Sequence, residues 1–221
     1  MVTVRQGDRT MRVERRQISL GFTDEIFEEG LHICYIFRDE EERRSTMAKY
    51  MNSGLETGEK VLYLVDTMSP GEFLNHMAEL GLRIGERKED LIVSEALPTY
   101  CPAGYFSTPE MLDVVGKFYQ QAMSDGYVGA RGTGEMSWCL VEGCARKEDL
   151  MEYEARLTQT LRIYPYTACC QYDARRFDGA TIMDVLSVHP LMIVRGQLVR
   201  NPFFVEPEVF IEEIRKRSAC E

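Results

Sequence analysis

The apolar positions of this 221-residue chain fall into short continuous runs separated by longer amphipathic segments. Runs such as LHICYIF, KVLYLVD and YTACCQY are rich in β-forming residues and are typical of strands buried on both faces of a sheet. Segments with apolar residues three and four positions apart, such as Met111 to Ala122, are typical of helices with one buried face. Buried strands alternating with helices of roughly 12 to 18 residues predict an α/β fold with a mostly parallel, doubly wound sheet.

Local signals place the ends of several elements. Ser69-Pro70-Gly71-Glu72 is a capping box that predicts a helix start. The Arg195-Gly196 pair between two apolar runs predicts a β-hairpin. FTDEIFEEG (22–30) is interpreted as a short amphipathic turn or helix, and LPTYCPAGYFS (97–107) as an irregular loop. From these signals we expect an N-terminal arm or edge strand over 1–20, an α/β domain over 21–206 and a C-terminal helix over 207–221.

Composition narrows the classes of partner. Acidic residues outnumber basic ones by 36 to 26, which gives a net charge of -10 and argues against direct nucleic-acid binding. No apolar run approaches the roughly 20 residues that span a bilayer, and the N-terminus lacks a signal-peptide core. We therefore expect a cytoplasmic protein without a membrane partner. Seven cysteines at irregular spacing favour reduced thiols over a disulfide framework.

Polar and aromatic residues collect where the predicted strands end. Ligands of doubly wound sheets bind outside the carboxyl ends of the strands. The stretch YVGARGTGEMSW (127–138) brings a glycine-rich turn, an arginine, a glutamate and the only tryptophan to such an end. We expect a small ligand clamped by Arg131 and Glu135 and covered by the Tyr100–Phe106 loop. The expected ligand-binding residues are Arg38, Asp66, Tyr105, Arg131, Glu135, Trp138, Tyr172 and Asp173.

Structural roles are open alternatives for the same residues. Glu135 could pair with Arg131 or Arg175 to stabilise the fold, and Trp138 is more often a core residue than a ligand platform.

An enzyme is the less favoured class. The first strand-to-helix turn, FRDEEERRST, has neither the glycines nor the lysine of a phosphate-binding loop, and its glutamates would repel an anion. No nucleophile elbow is present, and no carboxylate pair stands out as an acid-base couple. A degenerate nucleotide-binding protein, or an enzyme that uses Glu135 as a base, stays an alternative, and the sequence identifies no cofactor.

A thiol or metal sensor is a further alternative. His32 and Cys34 alternate along one strand and so face the same way, and Cys169 or Cys170 could join them from a neighbouring strand. Because cysteine is often buried, and a lone histidine in an apolar strand is usually a hydrogen-bonded core residue, the structural role is favoured. The metal candidates are therefore His32, Cys34 and Cys169.

Eight segments taken together resemble one known family. They are GLHICYIF, GLETGEKVLYLVD, YFSTPEMLDVV, GYVGARGTGEMSW, LMEYEARL, CCQYDARRF, DVLSVHP and RNPFF. The chain resembles the MEDS family, the methanogen/methylotroph DcmR sensory domain, from about Gly30 to Pro207. The resemblance implies a RecA/KaiC-like sheet in which RGTGE takes the place of the Walker B strand and the HIC strand lies beside CCQYD. It also implies a sensory domain for small hydrocarbon derivatives such as one-carbon compounds.

The resemblance also bears on partners. Family members are often joined to an output domain, whereas about 20 residues precede the expected sensory domain here and about 14 follow it. We therefore expect a non-enzymatic regulator that signals through a signalling or transcription-regulatory protein, with the C-terminal helix as the contact. A homodimer is an open alternative.

Overall fold

The structure is a computed structural model that describes residues 15–84 and 87–218. Its centre is a seven-stranded sheet of order β5-β4-β6-β7-β3-β8-β9. The strands of this sheet are β3 (His32–Phe37), β4 (Glu59–Val65), β5 (Leu91–Glu95), β6 (Gly129–Glu135), β7 (Thr167–Asp173), β8 (Leu191–Val194) and β9 (Gln197–Arg200). A separate two-stranded sheet pairs β1 (Gln17–Ser19) with β2 (Ile26–Glu28).

All neighbouring strands of the large sheet are parallel except β8 and β9, which form an antiparallel hairpin. Arg195 and Gly196 in its turn both have positive φ, 49° and 70°, as a two-residue hairpin turn of right-handed twist requires. The expected hairpin is confirmed, and so is the expected pairing of the HIC strand with the CCQYD strand, since Cys34 lies opposite Cys170.

Helices cover both faces of the sheet. They are α1 (Glu40–Glu56), α2 (Pro70–Glu79), α3 (Ala96–Tyr100), α4 (Thr108–Ser124), α5 (Lys147–Ile163), α6 (Gly179–Val188) and α7 (Pro207–Ser218). Apolar residues of α1 and α2 share one core with the sheet, and those of α3 to α7 share the core on the other face. The two faces are called here the α1 face and the α5 face. This three-layer α/β architecture confirms the fold class predicted from the sequence.

Two local predictions were wrong. Residues 26–28 form strand β2 rather than a turn or helix, because they pair with β1. The segment that begins at Ala96 is a short helix before it becomes a loop. The last residues of the expected N-terminal segment include strand β1, and Ile18 and Leu20 are buried in the core of the α1 face. The rest of the arm, residues 1–14, and the last three residues of the expected C-terminal helix lie outside the described residues.

Cys101 and Cys144 form a disulfide, which corrects the expectation of reduced thiols throughout. The bond joins the end of α3 to the segment before α5. Their Cα atoms are 6.6 Å apart although 43 positions separate them in sequence, so local spacing gave no signal of the pairing. Cys34, Cys139, Cys169 and Cys170 are free within the described part of the chain.

No helix among residues 15–84 and 87–218 combines the length and the apolar character that crossing a membrane requires.

Reduction of the Cys101–Cys144 bond is expected to lower the free energy of unfolding by about 2–4 kcal/mol, because the released chain gains entropy when unfolded. Urea denaturation with and without a reductant measures this difference. Cys139→Ser is the control, because it removes a cysteine that is outside the disulfide, and its stability should still fall when the reductant is added. The stability of the double variant Cys101→Ser/Cys144→Ser should not depend on the reductant. Equal stability of the unmodified chain in both conditions would show that the bond does not form.

Candidate functional site

Glu135 ends strand β6 as a buried carboxylate, only 3% exposed. Its Oε1 accepts hydrogen bonds from Arg43 Nη1 at 2.8 Å and from the Tyr63 hydroxyl at 2.9 Å. Its Oε2 accepts from the amides of Asp66 and Thr67, at 2.9 and 3.0 Å, and from the Thr67 hydroxyl at 2.9 Å. A carboxylate offers about four lone-pair directions. These five donors therefore use its acceptor capacity and leave none for a base or a metal ligand.

Arg43 supplies the positive charge that this carboxylate needs. It extends from the first turns of α1 and is 1% exposed, with further hydrogen bonds to Tyr63, Gln171 and Glu40. Burial alone would raise the pKa of Glu135, but the Arg43 charge and the Asp66 amide outweigh burial and hold that pKa below its ordinary value. The ion pair is therefore a structural tie between α1 and β6.

A second group of ion pairs lies at the same end of the sheet, between the end of β7 and the start of α1. Arg175 donates to Asp173 Oδ2 at 2.7 Å and to Glu40 Oε1 at 2.9 Å. Asp66 lies half-buried beside Glu135, and burial together with the Glu135 charge raises its pKa to about 6. The structure thus brings Asp66, Glu135 and Asp173 of the expected set to one sheet edge.

Arg131 lies elsewhere, which corrects the expected clamp of Arg131 and Glu135 around a ligand. It is fully buried and pairs with Glu59, while its guanidinium also donates to the Tyr50 carbonyl at 2.9 Å. Alternation along β6 puts both residues on the α1 face, but four residues of strand separate them by about 13 Å. Glu135 therefore takes Arg43 as its partner, rather than Arg131 or Arg175.

The remaining expected residues are dispersed. Trp138 is a fully buried core residue stacked on Tyr100 with ring centroids 4.3 Å apart. Tyr105 is 56% exposed, and Arg38 is exposed beside an open cleft between the ends of β3 and β8. Tyr172 is fully buried on the α5 face. None of the four contacts Glu135 through a hydrogen bond in the described structure.

A second polar group lies within the core of the α5 face, at His32, Glu154, Cys170 and His189, and is called here the His–Glu–Cys cluster. All four side chains are buried, and their potential ligand atoms lie within 4.8 Å of one another. Glu154 Oε2 is 3.2 Å from His32 Nε2, 3.5 Å from His189 Nε2 and 3.4 Å from Cys170 Sγ. The other oxygen, Oε1, accepts a 2.5 Å hydrogen bond from Tyr172.

Hydrogen bonds outside the cluster fix the tautomer of His189 and suit the same tautomer for His32. His189 Nδ1 lies 2.8 Å from the Val185 carbonyl, which only accepts, so this nitrogen carries the proton. His32 Nδ1 lies 2.7 Å from the Thr158 hydroxyl, which can itself donate to the Val188 carbonyl. With the hydroxyl proton directed at Val188, His32 Nδ1 is the donor to Thr158. In this arrangement both Nε2 atoms point bare lone pairs at the Glu154 carboxylate.

Neutral imidazoles leave this carboxylate without a cationic partner. Burial lowers the pKa of His32 to about 3, and burial with the neighbouring His32 lowers that of His189 to about 3. Within the described residues, no lysine or arginine forms an ion pair with Glu154. His189 Nε2 also makes no hydrogen bond there. The cluster therefore differs from Glu135, whose charge is neutralised by Arg43.

The cluster includes one of the three expected metal candidates. His32 belongs to it, whereas Cys34 and Cys169 do not. Cys169 packs in the core of the α1 face, because adjacent strand residues face opposite ways. Glu154 was visible in the sequence as a glutamate on the apolar stripe of a helix, and that conflict is the signal that could have identified it. His189 gave no such signal, because a histidine before a proline is typical of a turn.

A small cavity of about 30 Å³ lies beside the cluster, between the sheet and helices α4 and α5. Its lining is mostly apolar, and Cys170 is shared between the cavity and the cluster. The cavity is lined by Leu62, Leu64, Tyr100, Met111, Val114, Val115, Phe118, Gly132, Thr133, Gly134, Tyr153, Leu157, Tyr166, Ala168, Cys169 and Cys170.

Solved structures with a similar fold define the class of this domain. The flagellar accessory protein FlaH from Methanocaldococcus jannaschii superimposes with a TM-score of 0.59 at 13% identity and covers 84% of each chain. A KaiC-like protein from Pyrococcus horikoshii gives a TM-score of 0.58 at 12% identity, with 81% of this chain and 80% of that one covered. The chain is thus an α/β domain of the RecA/KaiC-like fold.

Sequence comparison gives the family. The model of the MEDS family, the methanogen/methylotroph DcmR sensory domain, matches residues 31–190, and the chain belongs to this family. It is also 27% identical over 159 residues to the transcriptional repressor DcmR of Methylorubrum extorquens. The match covers 72% of this chain but only 57% of the repressor. Together the family and this relative support a sensory or regulatory role.

Replacing Arg43 by methionine is expected to lower the free energy of unfolding by about 3–5 kcal/mol, because it leaves Glu135 buried without a counter-charge. Urea denaturation at pH 7 measures the loss. The loss should shrink as the pH falls towards 4, because protonation of Glu135 removes the uncompensated charge.

Arg44→Met is the matched control, since Arg44 is next on the same helix and makes only a 3.9 Å ion pair with Glu40. Its expected effect is below about 1 kcal/mol. Similar losses for both variants would contradict the structural role assigned to the Arg43–Glu135 pair.

Proposed function

We propose that this chain is a non-enzymatic sensory domain that binds a small, largely apolar molecule, such as a one-carbon or small hydrocarbon derivative, and signals through a regulatory protein partner. The observation that carries the proposal is the small, mostly apolar cavity on the α5 face. Membership of a sensory-domain family and similarity to a repressor support the regulatory part.

The size of the cavity limits the ligand. One water occupies about 10–15 Å³ by the same measure, whereas sites for drug-sized ligands are roughly 300–1,000 Å³. About 30 Å³ therefore suits a molecule of one or a few heavy atoms and excludes a nucleotide. A ligand of this size gains affinity mainly by filling apolar space, because it has few polar groups.

The chemistry of the wall agrees with that size class. Gly132 and Gly134 of β6 form part of the floor, and a Cβ at either position would collide with the hydroxyl of Tyr166 or of Tyr100. The glycines therefore let these tyrosines approach the sheet and line the cavity. Three tyrosines and the Cys170 thiol supply a few polar groups in an otherwise apolar wall, as is usual for small-molecule sites.

Nucleotide binding is the second candidate function, motivated by the RecA/KaiC-like fold. The place where a phosphate would bind, the start of α1, argues against this function, because the Asp39 carboxylate already accepts from the amides of Glu41 and Glu42. Glu135, the acidic residue at the end of β6, already has five donors. The amides at the start of α1 are thus not free for a phosphate, and Glu135 is not free for magnesium.

The output step belongs to the proposal as well. We propose that a transcription-regulatory protein in the cytoplasm receives the signal, because the relative of known role is a repressor. The net charge of -10 argues against direct nucleic-acid binding by this chain. A homodimer stays a prediction, which light scattering after size-exclusion chromatography tests.

One-carbon probes are expected to raise the melting temperature of the full chain. Methanol, methylamine, methanethiol and chloromethane would be screened, with ATP plus Mg²⁺ as the nucleotide arm. Saturation at about 100 times Kd stabilises a protein by about 2.7 kcal/mol, which is a shift of several degrees. Ala168→Val, which adds two methyl groups at the cavity wall, should remove the shift.

Ala130→Val is the control, because Ala130 is a buried alanine on the same face of the neighbouring strand but does not line the cavity. It should keep the shift. The proposal fails if no one-carbon probe shifts the melting temperature, or if Ala168→Val responds like the unmodified chain. A shift with ATP alone would favour the nucleotide candidate.

A further inference from the structure

We infer that His32, Glu154, Cys170 and His189 form a binding site for a single divalent transition-metal ion, with zinc as the best match. The proposal shares Cys170 with the cavity proposal but rests on different observations, so each can fail without the other. It rests on the spacing of the ligand atoms, the direction of their lone pairs and the balance of charge.

The spacing matches a four-coordinate site. Bonds of about 2.0–2.3 Å in a tetrahedron place neighbouring ligand atoms about 3.3–3.8 Å apart. Glu154 Oε2 lies at 3.2, 3.4 and 3.5 Å from the other three ligand atoms, and Cys170 Sγ is 3.7 Å from His32 Nε2. A metal ion could therefore be accommodated with small movements of side chains.

The lone pairs converge on one point. With Nδ1 protonated on both imidazoles, His32 Nε2 and His189 Nε2 are hydrogen-bond acceptors, and they face the Glu154 carboxylate, which is also an acceptor. The Cys170 thiol supplies one proton to this group, and His189 Nε2 has no hydrogen-bond partner in the described structure. Buried polar atoms without partners are rare in native proteins and call for an explanation, such as a bound ion. A cation at the centre would satisfy all three acceptors at once.

Charge balance points the same way. Metal binding would replace the S–H bond of Cys170 by a metal–sulfur bond and release one proton to solvent, with no change of oxidation state. The thiolate and the Glu154 carboxylate then carry two negative charges against the two positive charges of the ion. Because a metal ion binds imidazole in its neutral form, the buried centre would have no net charge, which removes the main cost of burying Glu154.

The surroundings supply the supporting hydrogen bonds typical of metal sites. Ligating histidines usually donate their second nitrogen to a carbonyl, hydroxyl or carboxylate, which orients the ring. Val185 O and Thr158 Oγ1 accept these bonds here, and Tyr172 holds the second oxygen of Glu154. The first shell of two nitrogens, one sulfur and one oxygen suits zinc, iron or cobalt rather than magnesium or calcium.

The first test is elemental analysis of the full chain, purified without an affinity tag or a chelator. Metal-free protein is then titrated with Zn²⁺ and with Co²⁺. We expect one equivalent of metal, a higher melting temperature with Zn²⁺, and cobalt spectra with tetrahedral d–d bands and a thiolate charge-transfer band.

Two adjacent cysteines provide a matched pair of variants. Cys170→Ser should lose the charge-transfer band and bind Zn²⁺ at least about 100-fold more weakly in competition with a chromophoric chelator. Cys169→Ser, also buried but on the other face of the sheet, should leave both unchanged. Glu154→Gln keeps the shape of the side chain and provides a second variant, with folding checked by circular dichroism.

Three results would overturn the proposal. The first is failure of the metal-free chain to bind Zn²⁺ or Co²⁺ below about 10 μM, an affinity weaker by several kcal/mol than structural zinc sites show. The second is metal binding that survives both Cys170→Ser and Glu154→Gln. The third is loss of the cobalt–thiolate band in Cys169→Ser but not in Cys170→Ser.

Discussion

Each carboxylate buried in this core requires a positive charge nearby, and the rest of the structure follows from how that requirement is met. Glu135 takes its charge from Arg43 on α1, and Glu59 takes its charge from Arg131 on β6. Both pairs lie on the α1 face and join the helix layer to the sheet by hydrogen bonds at either end of β6. Glu154 on the α5 face has only neutral histidines, a thiol and a tyrosine around it. That difference in charge separates a structural face from a face with unused ligand atoms.

The two faces therefore have different capacities. At the carboxyl ends of the strands, side-chain and backbone donors already fill the acceptor positions of Glu135. The Asp39 carboxylate already accepts from the first free amides of α1, so few donors remain there for a phosphate. On the α5 face, glycines in β6 and tyrosines packed over them line a small apolar cavity. Cys170 lies on the wall of this cavity and within the His–Glu–Cys cluster. A RecA/KaiC-like scaffold can thus carry its binding groups away from the edge where doubly wound sheets usually bind ligands.

Much of the fold could be predicted from the sequence because its signals are local. Continuous apolar runs identified β3, β4 and β7, and the turn residues identified the hairpin at Arg195. The position of Glu135 at the end of a central strand followed from the alternation of strands and helices. Residue 27 was misassigned to a turn or helix because its strand partner, Ile18, lies on a segment that looked aperiodic.

The candidate sites were less predictable because their partners come from distant segments. Arg43 reaches Glu135 across 92 positions, and His32 reaches Glu154 across 122. Alternation along β7 puts Cys169 and Cys170 on opposite faces, but only the register with β3 shows that Cys170 shares the face of His32 and Cys34. Arg131 and Glu135 are close in sequence and share a face, yet strand geometry keeps them too far apart to clamp one ligand.

X-ray absorption at the zinc edge, on the full chain loaded with one equivalent of Zn²⁺, tests most directly whether Glu154 is neutralised by a metal ion. The account predicts one sulfur neighbour at about 2.3 Å and three nitrogen or oxygen neighbours at about 2.0–2.1 Å. A shell of oxygen neighbours alone, as for a hydrated ion on the surface, would contradict it.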